Sequence, residues 1–90
     1  MVSQLANRTA IVTGASSGIG RAIAEVLGSE GAHIFLIGRT MQPMEESKVK
    51  IEQSGGRASI ANFDIREIAK LQHFIAEVQQ QTGQLSILVN

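Results

Sequence analysis

Three closely spaced glycines follow a short apolar run near the N-terminus, in the segment Thr13-Gly14-Ala15-Ser16-Ser17-Gly18-Ile19-Gly20. Their spacing, G-x-x-x-G-x-G, differs from the familiar dinucleotide fingerprint, but the physical roles are shared. Gly14 permits a tight turn, while Gly18 and Gly20 lack the Cβ atoms that would keep the backbone away from a phosphate. A helix N-terminus beyond the loop favours an anion, and the two serines add hydroxyl donors. The segment predicts a phosphate site, with a glycine turn that only serves packing as the alternative.

Arg39 follows the second predicted strand, in Ile37-Gly38-Arg39-Thr40. A site for NAD would carry Asp or Glu about 20 residues beyond the glycines, to bind the ribose 2′-hydroxyl. Here Gly38 brings no carboxylate that would repel a phosphate, and the forked donors of a guanidinium match the oxygens of one. The sequence therefore predicts NADP(H) in preference to NAD(H). The alternative is a solvated arginine in a loop.

Asp64 has two interpretations. In Asp64-Ile65-Arg66-Glu67 the aspartate and the glutamate three residues later form the pattern of a capping box, with Asp64 as the N-cap of a helix. The other interpretation is that Asp64 borders the adenine of a bound cofactor. The spacing alone favours neither.

Apolar runs alternate with segments of helical periodicity along the chain. The run Ile34 to Ile37 has no polar alternation, which is typical of a strand covered on both faces. The first helix carries an apolar stripe at helical spacing: Ile19, Ala22, Ile23, Val26 and Leu27. Strands are predicted over 9–13, 32–37, 58–63 and 85–89, and helices over 18–30, from Pro43 to Gly55-Gly56, and over 66–81.

This β-α-β-α-β-α-β order predicts an α/β fold, the N-terminal half of a Rossmann doubly wound parallel sheet with helices on both faces. Right-handed crossovers favour the strand order 3-2-1-4. In such sheets ligands bind at the carboxyl ends of the strands, near the switch between strands 1 and 4. The glycine loop and Asn90 fall there.

Composition excludes several kinds of protein. Eight Lys and Arg balance eight Asp and Glu, so the chain lacks the basic surplus that nucleic-acid or anionic-membrane binding needs. The absence of cysteine excludes disulfides, a cysteine nucleophile and a thiolate metal site, and no metal site is predicted. Residues 1–8 contain no apolar run long enough for a signal peptide, so a cytoplasmic protein is expected.

The glycine segment resembles the cofactor-binding motif of the classical short-chain dehydrogenases/reductases. Ile37-Gly38-Arg39 is similar to the end of the second strand in NADP-dependent members of that family. Phe63-Asp64-Ile65 resembles its Asp-Val element beside the adenine. Leu85-Ser86-Ile87-Leu88-Val89-Asn90 is similar to the strand that leads into its Asn-Asn-Ala-Gly motif.

The resemblance implies a Rossmann fold and an oxidoreductase that interconverts a carbonyl and an alcohol with a nicotinamide dinucleotide. It implies that Arg39 contacts the 2′-phosphate, that Asp64 and Ile65 border the adenine, and that Asn90 is the first Asn of the motif beside the cofactor. By the same resemblance, the pyrophosphate and the adenosine ribose would be contacted by Gly14, Ser16, Ser17 and Ile19. The cofactor-binding residues so predicted are Gly14, Ser16, Ser17, Gly18, Ile19, Gly20, Arg39, Asp64, Ile65 and Asn90.

The family's catalytic Ser and its Tyr-x-x-x-Lys pair have no counterpart in these 90 residues, which contain no Tyr at all. We therefore interpret residues 1–90 as the N-terminal NADP-binding portion of a single Rossmann domain, incomplete at its C-terminus and inactive alone. The complete protein would be a reductase of a 3-oxoacyl thioester, steroid, sugar or small ketone, and a homo-oligomer. The alternative is a non-catalytic dinucleotide-binding module that senses redox state or acts as a scaffold.

Overall fold

The computed structural model describes residues 7–16, 18–82 and the backbone of 87–89. The predicted positions Ser17 and Asn90, the helix stop at Gly83, and the start of the last strand lie outside this range. The strands are β1 (Thr9–Thr13), β2 (His33–Gly38), β3 (Arg57–Asn62) and β4 (Ile87–Val89), and the helices are α1 (Gly18–Ser29), α2 (Met41–Gln53) and α3 (Ile68–Thr82).

The strands form one parallel sheet in the order β3-β2-β1-β4. Ile11 of β1 pairs with Phe35 of β2, and Phe35 pairs in turn with Ser59 of β3. Every residue of β2 after His33 is buried, as the unbroken apolar run predicts. The predicted α/β class with a parallel, Rossmann-type sheet is confirmed.

The two faces of the sheet support separate cores, because successive side chains of a strand point to opposite sides. On one face, Ile34 and Leu36 of β2 pack with residues of α1 and α2. On the other face, Phe35 and Ile37 pack with Val78 of α3. The helices thus lie on both faces, and the loops that join strands to helices meet at one edge of the sheet.

Only part of the apolar stripe of α1 packs against the sheet, where Leu27 lies partly buried against the core. The buried residues of this helix are Ala24 and Gly28, whereas Ile19 is 80% exposed and Val26 is 62% exposed. Gly20, Ala24 and Gly28 recur every four residues, so small residues form the contact face. Periodicity identified the apolar stripe, but it does not identify which of its residues the neighbouring elements cover.

Helix α2 packs through a narrow face made by Met44, Ser47 and Ile51, all buried. It begins at Met41, so Pro43 lies at its third position, still within the turn where backbone N–H groups lack helical partners. The buried Ser47 hydroxyl donates to Glu25 of α1 at 3.0 Å. Burial raises the pKa of Glu25, but hydrogen bonds from Arg21 and Ser47 outweigh it, and the net pKa is lowered.

Helix α3 begins at Ile68, two residues later than predicted. Its predicted apolar face is confirmed at Val78, which is buried, and at Leu71, Phe74 and Ile75, which pack partly buried against the same core. Ile68 is 58% exposed and takes no part in that core. Within the described range, none of the helices is both long and apolar enough to span a lipid bilayer.

Candidate functional site

A cleft of about 320 Å³ opens where β1, β2 and β3 end. The lining comes mainly from the last residues of β2 and from the segments that follow β1, β2 and β3, so the cleft lies at the carboxyl edge of the sheet. This is the edge at which parallel α/β sheets bind their ligands. The cleft is lined by Gly14, Ser16, Ile37, Gly38, Arg39, Thr40, Pro43, Phe63, Asp64 and Ile65.

The glycine loop turns sharply between β1 and α1. Gly14 and Gly18 have φ values of 63° and 52°, in the left-handed region that favours glycine. Between them, the backbone N–H of Ala15 donates to the carbonyl of Ile37 at 3.0 Å, which fixes the loop to the end of β2. Two positive-φ residues and one cross-strand hydrogen bond therefore set the shape of the turn before α1.

Gly20 lets α1 begin very close to the loop. A Cβ built on Gly20 would overlap the carbonyl oxygen of Gly14 and would lie 3.0 Å from its carbonyl carbon. These are backbone atoms, so no side-chain movement could relieve the overlap. The absence of a Cβ at Gly20 thus keeps the start of α1, with its positive dipole end, beside the cleft.

Ser16 joins the glycine loop to the segment after β2. Its hydroxyl donates to the carbonyl of Thr40 and accepts from the N–H of Thr40, both at 3.2 Å. A Cβ on Gly38 would overlap the Ser16 hydroxyl and would lie 3.1 Å from Sδ of Met44. The hydroxyl of Ser16 therefore occupies the space that an acidic side chain at position 38 would need.

Two cations and one carboxylate stand at the outer rim of the cleft. Nη1 of Arg39 lies 3.7 Å from Oδ2 of Asp64, and the Arg39 side chain is 70% exposed. Arg66 holds the same Oδ2 more closely, with Nη2 at 2.7 Å and Nε at 3.0 Å. Arg39 is thus held less closely by Asp64 than Arg66 is, and Arg39 also lines the cleft.

The capping-box interpretation of Asp64 was wrong. Because α3 begins at Ile68, its N-cap position falls on Glu67 rather than on Asp64. Oδ1 of Asp64 instead accepts from the N–H of Arg66 at 2.9 Å, and the Asp64 carbonyl accepts from the N–H of Glu67 at 2.9 Å. Asp64 closes a turn between β3 and α3, and it lines the cleft together with Ile65.

The structure gathers five of the predicted site residues around the cleft: Gly14, Ser16, Arg39, Asp64 and Ile65. Gly18, Ile19 and Gly20 form the start of α1, where Ile19 is exposed. Sequence reasoning missed Thr40, Pro43 and Phe63 as lining residues. For Thr40 and Phe63 the available signal was their position just after β2 and β3, since residues that follow parallel strands meet at one edge. Pro43 lies in the first turn of α2, and its place in the lining depends on where that helix packs.

Residues 8–90 match the family model described as short chain dehydrogenase. The chain belongs to this family. Its relative from Acinetobacter baylyi, a fatty acyl-CoA reductase, is 37% identical over 83 residues, which are 92% of this chain and 28% of the relative. The chain spans a third or less of the length of the first curated short-chain dehydrogenase relatives that it matches.

Solved structures of short-chain dehydrogenases also resemble the chain. A metagenomic short-chain oxidoreductase in complex with NADP has a TM-score of 0.87 at 34% identity, with 93% of this chain and 38% of that one covered. The L-sorbose reductase of Gluconobacter frateurii, complexed with NADPH and L-sorbose, has a TM-score of 0.83 at 34% identity. There the coverage is 100% of this chain and 35% of the other.

The carboxyl group of Asp64 is expected to titrate far below its ordinary range. Hydrogen bonds from the side chain and backbone of Arg66 lower the pKa of Asp64 from 3.8 to about 2, with a smaller contribution from Arg39. Since the folded-state pKa is the lower one, the carboxylate stabilises the fold above pH 3.8, and this contribution is lost as the pH falls toward 2. Carboxyl-carbon NMR over this range measures the midpoint.

The matched variants are Arg66→Gln and Arg57→Gln, which remove the same charge at different places. Arg66→Gln is expected to raise the pKa of Asp64 toward its ordinary value, because the dominant hydrogen bonds are lost. Arg57 lies at the start of β3, at the amino-terminal end of the strands and away from the cleft, so its replacement should leave the pKa of Asp64 unchanged. A pKa of Asp64 near 3.8 in the unmodified protein would contradict the hydrogen-bonded ion pair with Arg66.

Proposed function

We propose that the full-length protein is an NADP(H)-dependent oxidoreductase that interconverts a carbonyl and an alcohol, and that residues 1–90 form the N-terminal, cofactor-binding portion of its Rossmann domain. Membership of the short-chain dehydrogenase family supports the reaction class. The observation that carries the cofactor assignment is the rim of the cleft, where Gly38 offers no carboxylate and the exposed Arg39 offers a guanidinium.

The cleft carries groups suited to the adenosine half of a dinucleotide. The absence of a Cβ at Gly20 and Gly38 lets the glycine loop pack closely on the start of α1 and on the end of β2. The helix dipole and the Ser16 region suit the pyrophosphate, and Ile65 offers an apolar border for the adenine. Two structural relatives are complexes with NADP or NADPH, which agrees with this assignment.

NADPH, when bound, supplies a hydride to the carbonyl carbon of the substrate. In this proposal the described residues bind and orient the adenosine half of the cofactor: the loop from Gly14 holds the pyrophosphate and Arg39 holds the 2′-phosphate. The 90 residues contain no Tyr, so the tyrosine acid of the family reaction would be supplied from outside them. The relatives are longer than this chain, which agrees with a catalytic part outside these 90 residues.

Turnover by the full-length protein tests the reaction. We expect oxidation of NADPH, followed by the loss of its nicotinamide absorbance, with at least one carbonyl from a panel of 3-oxoacyl thioesters, steroid ketones, ketoses and small ketones. The matching alcohols with NADP+ test the reverse direction. Tight NADPH binding without turnover of any compound in either direction would contradict the enzyme and favour a redox-sensing or scaffold module.

A further inference from the structure

The carboxylate of Asp64 stands at the very rim where the proposed function requires a phosphate to bind. An anion beside a phosphate is unfavourable, and a carboxylate 3.7 Å from Arg39 also competes with the phosphate for that guanidinium. The side chain of Asp64 is 23% exposed, and hydrogen bonds to Arg66 hold its carboxylate at this rim. A site selective for NADP(H) therefore needs some group to neutralise Asp64.

The contacts of Arg66 make it the group that neutralises the Asp64 carboxylate. It makes four hydrogen bonds to the Asp64 carboxylate: its backbone N–H and Nε reach Oδ1 at 2.9 and 3.2 Å, and Nε and Nη2 reach Oδ2 at 3.0 and 2.7 Å. Arg39 makes a single, longer ion pair with Oδ2. The fork of Arg66 matches both carboxylate oxygens at once, which makes it the stronger partner.

We propose that Arg66 is a positioning residue for cofactor selection: by holding the Asp64 carboxylate, it keeps Arg39 available for the 2′-phosphate of NADP(H). This inference rests on the proposed function. It assigns Arg66 an indirect role, because its Nε and Nη2 are already bound to Asp64. Without Arg66, the carboxylate would pair with Arg39 and draw it away from the phosphate.

The readout is the preference ratio, defined as the Kd for NADH divided by the Kd for NADPH, measured on the full-length protein by calorimetric or fluorescence titration. The ratio cancels effects on the adenine or on folding, which both cofactors share. Since exposed ion pairs have modest energies, Arg66→Gln should lower the ratio about two- to five-fold. Arg66→Lys should restore part of it, and Arg57→Gln, the matched loss of a remote guanidinium, should leave it unchanged.

A double-mutant cycle separates competition from a general loss of positive charge. Asp64→Asn removes the competing carboxylate, so it should raise the ratio more in the Arg66→Gln background than in the unmodified protein. Equal effects of Asp64→Asn in both backgrounds would mean that the two charges act independently, and this would overturn the positioning role.

Two further comparisons tell the two proposals apart. If Arg66 acts through the Asp64 carboxylate, then Arg66→Gln should have little effect on the ratio once Asp64 is replaced by asparagine. A persistent effect in the Asp64→Asn background would mean that Arg66 itself contacts the phosphate, which overturns the inference. A ratio lowered by Arg39→Gln but untouched by Arg66→Gln contradicts the inference alone. A ratio that Arg39→Gln does not change contradicts the proposed 2′-phosphate site.

Discussion

Replacement of Gly20 by alanine is expected to weaken NADPH binding by the full-length protein about tenfold or more. A loss of about 1.4 kcal/mol in binding free energy corresponds to a tenfold loss in affinity. A Cβ at Gly20 would overlap the carbonyl oxygen of Gly14, so the start of α1 must shift away from the loop. Forced overpacking of this kind costs about 1–3 kcal/mol, against a gain in helix propensity of about 1 kcal/mol. Titration with NADPH measures the loss of affinity, and urea unfolding measures the change in the free energy of unfolding.

Gly28→Ala is the matched control for Gly20→Ala. Gly28 also lies in α1 and is buried, but the atoms nearest to an added Cβ there are side-chain atoms of Ile51, at 2.7 Å. That contact is remote from the cleft, so Gly28→Ala is expected to change stability without changing the Kd for NADPH. Unaltered NADPH binding by Gly20→Ala would show that close approach of α1 to the loop is not needed for the cofactor.

Replacement of Arg39 by glutamine is expected to remove most of the preference for NADPH over NADH. A hydrogen bond to a charged group contributes about 1.5–3 kcal/mol, and the exposure of Arg39 favours the lower end, or about a tenfold loss in NADPH affinity. NADH has no 2′-phosphate, so its Kd should be unchanged. Arg57→Gln, which removes the same charge at the opposite edge of the sheet, should alter neither Kd.

Gly38→Asp tests the same rim from the other direction. A carboxylate at position 38 would repel the 2′-phosphate and could accept from a ribose hydroxyl, which favours NADH. Its Cβ would also overlap the hydroxyl of Ser16, which forms two hydrogen bonds to Thr40. Gly38→Asp alone should therefore weaken both cofactors, and Gly38→Asp combined with Ser16→Gly should bind NADH more tightly than NADPH. Retained NADPH preference in the double variant would contradict the assigned rim.

The sequence was sufficient for features that depend on local backbone chemistry. The tight turn at Gly14 follows from a strand that must turn directly into a helix, and the burial of β2 follows from an unbroken apolar run. The positive φ of Gly18 was not predicted from the sequence. Arg39 was identified at the cleft because it follows β2 immediately, and the carboxyl ends of parallel strands meet at one edge.

Features that depend on the distance between elements could not be predicted. The apolar stripe of α1 includes Ile19 and Val26, which the structure leaves exposed, while the helix lies close to the loop at Gly20 and to Ile51 at Gly28, where only small residues fit. The ion pairs of Asp64 likewise depend on where two flexible arginines lie. The pattern of a capping box was present in the sequence, yet the Arg66 contacts place a turn there instead.

Binding of adenosine 2′,5′-bisphosphate and of 5′-AMP tests the central claim, that the cleft beside Arg39 recognises the 2′-phosphate of NADP(H). The two ligands differ only by that phosphate, and neither carries the nicotinamide, so the full-length protein can be titrated without any reaction. We expect the bisphosphate to bind about tenfold more tightly, with the advantage abolished by Arg39→Gln. Equal Kd values for the two ligands in the unmodified protein would contradict the claim.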